Sequence, residues 1–256
     1  MNWYPNAFIF PVDKAPFTDE RIRKAIHLAV NRQEIVALAA QGAATISGPI
    51  PPRLLPNWAL SEEELLKLPG FRSDKTQDIA EAKKLLAEAG YPNGITINAD
   101  ATSQSPANNL WPLEVVVPQL AKAGITLKVK MLEWGAFKDT EESRSYDFRS
   151  RGTLAFAEPH DQLHVRYHTA GQRNYSKISD PVLDQLIEKQ QFTADPSARR
   201  EIVRQAQMRV LDKAWQIITM NQYIWAVEQP WVMDFPISAN ADLYRFTWPE
   251  TVWINK

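Results

Sequence analysis

At 256 residues with a formal net charge of -1, the chain can bury roughly three-quarters of the surface its unfolded form exposes, as one large domain or two small ones. That charge leaves no basic footprint for nucleic acid or a membrane surface, and no apolar run reaches the ~20 residues that span a bilayer. The absence of cysteine excludes disulfides, thiolate metal sites and cysteine nucleophiles, and none of the 9 glycines forms the Gly-x-Gly of a dinucleotide-binding loop.

In chain order, Asn6 to Phe10 reads as a short strand closed by Pro11. A helix follows. Thr18 is placed to cap it, Asp19 and Glu20 suit its positive end, and Ile22, Ile26, Ala29 and Val30 form its apolar stripe. His27 lies off that stripe and is expected on the solvated surface. A second helix is expected over Glu34 to Ala40, then an ordered proline- and glycine-rich loop from Gln41 to Pro56. Ser61 to Leu68 reads as a short acidic helix. From Gln77 a longer helix carries Ile79, Ala82, Leu85, Leu86 and Ala89 on one side, with Thr76 as its expected cap. Gly90 suits the left-handed position past its end, and Asn93-Gly94 turns the chain into the alternating strand Ile95 to Asn98.

Asn109 to Ala123 reads as a helix that Pro118 should kink or break. Gly124 ends it, and Ile125, Leu127, Val129 and Met131 alternate with polar residues as a strand. Tyr146 to Gly152 alternates likewise. Asp180-Pro181 and Asp195-Pro196 each join an N-cap acid to a proline at the first helical position, so each opens a helix. Ile217 to Met220 and Tyr223 to Val227 read as two more strands. Helices alternating with strands argue an α/β fold with a mixed sheet flanked by helices. Five of the 9 tryptophans fall from Trp215 onward. They are either core anchors or an aromatic surface that something else covers.

Two segments carry a family resemblance. Leu85 to Gly94, LLAEAGYPNG, and Ala15 to Pro52, APFTDERIRKAIHLAVNRQEIVALAAQGAATISGPIPP, resemble the extracellular solute-binding proteins of ABC importers, family 5, which take oligopeptides, dipeptides or nickel. The helix–Gly-Ile–strand unit ending at Met131, and Glu133-Trp134 after it, are similar to the same family. The resemblance implies a periplasmic-binding-protein-like II lobe. Residues 1–227 would form the second of two lobes that close on a ligand, and residues 228–256 a returning tail that packs on a missing first lobe. It further implies that Met1 is a truncation start, that the signal peptide is absent from this fragment, and that the protein is periplasmic or extracellular. The implied partners are a peptide or other small polar solute, the missing N-terminal lobe and an ABC permease, with no nucleic acid, no membrane insertion of this segment, no cofactor and no enzymatic role. The alternative is the ligand-sensing domain of a bacterial transcriptional regulator, since some regulators carry this fold after a DNA-binding module.

Arg149 and Arg151, two apart on a strand, leave the same face. Either they form a guanidinium pair at a cleft, able to hold a carboxylate or phosphate bidentately, or they are a solvated face paired with acids such as Asp147. The resemblance places this strand and the loop after it, Gly152 to Pro159, at the ligand crevice. Thr153, Phe156 and Glu158 are therefore expected ligand contacts. Peptide-binding members carry a tryptophan and an acid in that loop; here Gly152 or Thr153 and Ala155 stand in their places. Trp134 is either a crevice wall or a core residue. His160, His164 and His168 form H-x3-H-x3-H. Neighbours at i and i+4, above all His160 and His164, could chelate a metal, but the outer pair would lie ~12 Å apart along a helix. The adjacent acids Glu62–Glu64 and Glu141–Glu142 read as hydrated faces rather than catalytic pairs.

Overall fold

The computed structural model describes residues 3–105, 109–153, 155–223, 231–233 and 253–254. Helices α1 (Glu20–Ala29), α2 (Arg32–Leu38), α3 (Glu62–Leu66), α4 (Thr76–Glu88), α5 (Trp111–Lys122) and α6 (Trp134–Glu142) alternate with strands, and α7 (Pro159–Tyr167), α8 (Pro181–Gln191) and α9 (Pro196–Asp212) follow. Strand β1 (Trp3–Ile9) lies inside a four-stranded antiparallel sheet ordered β2-β6-β1-β5, with β2 at Ala44–Ile46, β5 at Arg149–Gly152 and β6 at Ile217–Tyr223. Strands β3 (Ile95–Ala101) and β4 (Ile125–Met131) pair in parallel, as strands joined by a helical crossover can. The Asp100 N–H donates to the Phe148 carbonyl at 2.9 Å, tying β3 to the residues leading into β5. The architecture is the mixed α/β fold expected.

Alternation along β1 divides the core. Phe8 faces a cluster with Ile22, Ile26, Leu86, Ile97, Val116 and Phe148, while Ala7 and Ile9 face another with Leu163, Leu183, Val203, Val210 and Ile218. One strand thereby ties α1, α4 and α5 to α7, α8 and α9.

Several boundaries differ from the sequence expectation. The cap of α1 is Asp19, whose carboxylate accepts from the Arg21 N–H, and Thr18 lies one residue outside. Thr76 is the first residue of α4, and Asp74 accepts its N–H instead. Asn31 caps α2, which starts at Arg32 rather than Glu34. The loop from Gln41 to Pro56 contains β2, because β6 offers a free edge there. Helix α5 runs through Pro118: this residue is exposed, while Leu113, Val116 and Leu120 are fully buried and hold both halves down. Strand β5 begins at Arg149, later than Tyr146, and β6 is continuous over Ile217–Tyr223.

His27 is buried, not solvated, because the turn at Leu68–Phe71 closes over it and its Nε2 meets the Pro69 carbonyl at 3.1 Å. Trp215 is buried, whereas Trp111, Trp134 and Trp231 are each more than two-fifths exposed. Residues 224–227 and most of the expected tail, with Trp225 and Trp248, lie outside the described residues. Within the tail, β7 (Val232–Met233) pairs antiparallel with β8 (Trp253–Ile254). Among the described residues no helix is long and apolar enough to cross a membrane.

Candidate functional site

The arginine strand is packed against α6. Arg149 and Arg151 do leave one face of β5, and both reach that helix, although they meet different partners. Arg149 is fully buried. Its guanidinium lies 4.1 Å from the ring centres of both Phe137 and Tyr146, a doubly stacked cation–π arrangement. It donates to the Phe137 carbonyl at 3.0 Å, to Thr140 Oγ1 at 2.7 Å and to Asp100 at 2.8 Å. Burial pulls its pKa below the ordinary arginine value, against the opposing charge of Asp100. These contacts clamp β3, β5 and α6 together, so the cleft role expected for Arg149 gives way to an internal one. A solvated pairing with Asp147 is not formed either: Asp147 binds Lys14 at 2.5 Å and Asn98 at 3.1 Å.

Arg151, one step nearer the loop, keeps a fifth of its side chain exposed and pairs with Glu141 at 2.6 Å. Glu141 is itself buried and is also bound by Lys138 at 2.5 Å. Burial pushes its carboxyl up, but the Arg151 charge and the Lys138 hydrogen bond outweigh it and hold the pKa below the ordinary range. Trp134, at the start of the same helix, stacks on Phe137 with ring centres 6.0 Å apart and leaves about two-fifths of its surface exposed. Lys138, Glu141, Arg144, Arg173 and Tyr175 line a shallow cavity of about 350 Å³ beside this cluster. Neither Arg144, Arg173 nor Tyr175 stands out in the sequence. The turn after α6 and the turn after α7 bring them together, and only tertiary packing encodes that approach.

The loop after β5 separates the remaining expected contacts. The Thr153 N–H donates to the Pro5 carbonyl at 2.9 Å, extending the sheet by one bond. Phe156 is half-buried, and its N–H donates to the Gln162 side chain at 2.9 Å. Glu158 pairs with neither Arg149 nor Arg151. It caps α7 by accepting from the His160 and Asp161 N–H groups and forms an ion pair with Arg199. The structure therefore brings Trp134, Arg149 and Arg151 together and puts Glu158 in a helix-cap role.

His160, His164 and His168 stack along α7, with ring centres 5.1 and 4.4 Å apart. His160 Nδ1 meets Gln190 at 2.9 Å and His168 Nε2 meets Glu188 at 3.2 Å. Among the described residues, no three or more His, Asp or Glu groups are placed to hold a metal ion.

A family model described as bacterial extracellular solute-binding proteins, family 5 Middle, matches residues 2–174. The periplasmic oligopeptide-binding protein OppA of Escherichia coli (strain K12) is 30% identical over 231 residues, covering 86% of this chain and 40% of that protein. The dipeptide-binding protein of the same organism is 28% identical over 224 residues, covering 84% of this chain and 40% of its own. The solved structure of the Escherichia coli murein tripeptide binding protein MppA superposes with a TM-score of 0.80 at 17% identity, over 100% of this chain and 49% of that one. The chain spans about two-fifths of the length of the curated relatives it matches.

Proposed function

This chain belongs to the bacterial extracellular solute-binding proteins of family 5, and we propose that it is one lobe of the solute-receptor component of an ABC importer. The family match over residues 2–174 carries this reading. The receptor works in the periplasm without catalysis. A solute, either a short peptide or another small polar molecule, bridges this lobe and a second, N-terminal lobe. Bridging increases the population of the closed form, and the permease distinguishes closed from open. The relatives named for oligopeptide and dipeptide binding support peptides as the first class to test.

Within this lobe, the exposed ring of Trp134 and the outer edge of Arg151 form the solute-facing side, and Thr153 and the half-buried Phe156 would meet the solute from the loop after β5. Arg149 and Asp100 set the position of that side from beneath. Glu141 neutralises part of the Arg151 charge, so a solute carboxylate would have to compete with it for the guanidinium.

Isothermal titration of a short-peptide panel into this chain, and into a two-lobe protein that contains it, tests the reading. The two-lobe protein is expected to bind at least one member, and this chain alone to show no submicromolar affinity, because half of the contacts are missing. Submicromolar binding by the chain alone would overturn the half-site assignment. A two-lobe protein that binds a non-peptide solute and no peptide would overturn only the choice of ligand.

A further inference from the structure

Helices α1, α4 and α9 enclose a second cavity, of about 450 Å³, which shares no lining residue with the β5–α6 cluster. Its volume lies in the range of small-molecule sites. We propose that it binds a small amphipathic cation, an apolar body of one or two rings carrying an amine.

The body is specified by the walls. Leu28 of α1, Leu85 of α4, and Met208 and Leu211 of α9 face the space, and Phe71 contributes from the turn after α3. The floor is His27, and both of its ring nitrogens are already engaged. An arginine can only donate, so the contact of Arg32 Nη2 with Nδ1 at 3.2 Å makes Nδ1 the acceptor. Nε2 then carries the proton and donates to the Pro69 carbonyl at 3.1 Å. Burial, and the charge of Arg32 next, hold this imidazole well below its ordinary pKa. The floor is therefore an uncharged ring without a free polar atom, suited to apolar contact.

The head group is specified by the mouth. Glu81 on α4 and Asp212 on α9 stand there with Lys24, the one ammonium lining the cavity among the described residues. Lys24 is already held by Glu20 at 2.8 Å and by Asp212 at 3.4 Å. Glu81 also meets Lys84 at 3.6 Å, but both side chains of that pair are exposed and the contact is weak. The lining itself carries two carboxylates and one ammonium, so the residual field at the opening favours a positive head over a negative one.

The test is NMR titration of the whole chain with 2-phenylethylamine, 2-phenylethanol and 3-phenylpropionate, which pair an aromatic body with a cationic, neutral or anionic head. The amine is expected to bind best and the acid worst, with shifts centred on Leu28, Leu85 and Met208. Met208→Trp, which fills the space, should weaken the amine by about tenfold or more. Glu81→Lys, on the exposed rim, should weaken the amine about threefold and leave the alcohol unchanged. If Met208→Trp does not fold, Glu81→Lys decides alone. Equal binding of amine and acid, unchanged amine binding in either folded variant, or no saturable binding by any of the three would overturn the proposal.

Discussion

Arg32 and His27 show how one buried residue can set the conditions of another. Arg32 is fully buried, stacks 3.9 Å above the Phe71 ring and donates to the Ile218 carbonyl at 2.7 Å. Burial lowers its pKa to about 9, with the charge of Asp78 opposing. His27 beside it titrates well below its ordinary 6.5 in the fold. The unfolded chain therefore takes up this proton first as pH falls, and stability is lost below pH 6.5. The loss from His27 alone should reach at most about 2 kcal/mol by pH 5. His164, lowered mainly by burial, contributes in the same window. Thermal unfolding midpoints of the parent and His27→Gln, compared between pH 7.5 and pH 5, separate the two. The variant should lose less, and equal losses would remove His27 from the account.

The arginine pair gives a second contrast at this scale. Arg149→Met leaves the Asp100 carboxylate without its buried donor and should cost about 3 kcal/mol or more in urea unfolding. Arg151→Gln leaves Glu141 with Lys138 and should cost about 1 kcal/mol. The reverse order would show that Arg151, not Arg149, is the internal clamp. Period-two spacing makes the shared face of the two arginines legible. Asp100 lies on a strand 49 positions away and Glu141 on the preceding helix 10 positions away, and neither pairing is contained in the strand's own alternation.

At the scale of elements, the two Asp-Pro helix starts were legible, whereas the caps expected at Thr18 and Thr76 were not formed there. Asp180 accepts from the Leu183 N–H at 2.7 Å and Asp195 from the Ala198 N–H at 2.7 Å, each with proline at the first helical position. The structure adds a Ser61–Glu64 capping box at the start of α3, a cap that the sequence expectation did not include. Pro118 went the other way. The local rule predicts a kink or a break, and buried neighbours on both sides keep α5 unbroken. The missing N–H still costs that helix a hydrogen bond. Pro118→Ala, at an exposed position with no packing to lose, should therefore stabilise the protein by about 1–3 kcal/mol. A midpoint of chemical denaturation that stays put or falls would mean the ring packs more than its exposure implies.

For the whole molecule, the sheet decides cooperativity. Because β1 sends Phe8 to one core cluster and Ile9 to the other, neither cluster can melt without exposing the strand that serves both. Far-ultraviolet circular dichroism and tryptophan fluorescence should report one coincident unfolding transition, and Phe8→Leu and Ile9→Ala should each shift it undivided. Two separated transitions would show that the halves fold independently. The sequence by itself determined most of the helices (not α6, Trp134–Glu142), the strand periodicity, the turns at Gly90 and Gly94, and the family, because these depend on spacing and wording within some forty residues. Only the tertiary structure decided that β1 pairs with β5 and β6, that β2 exists, that His27 lies under the Leu68–Phe71 turn, and that Arg149 is internal while Arg151 reaches the surface. Each of these depends on what packs against a residue from far along the chain, as when Thr219 donates to the Asn6 carbonyl at 2.9 Å across a separation of 213 positions. Burial and pairing are properties of that second surface, which local periodicity does not contain.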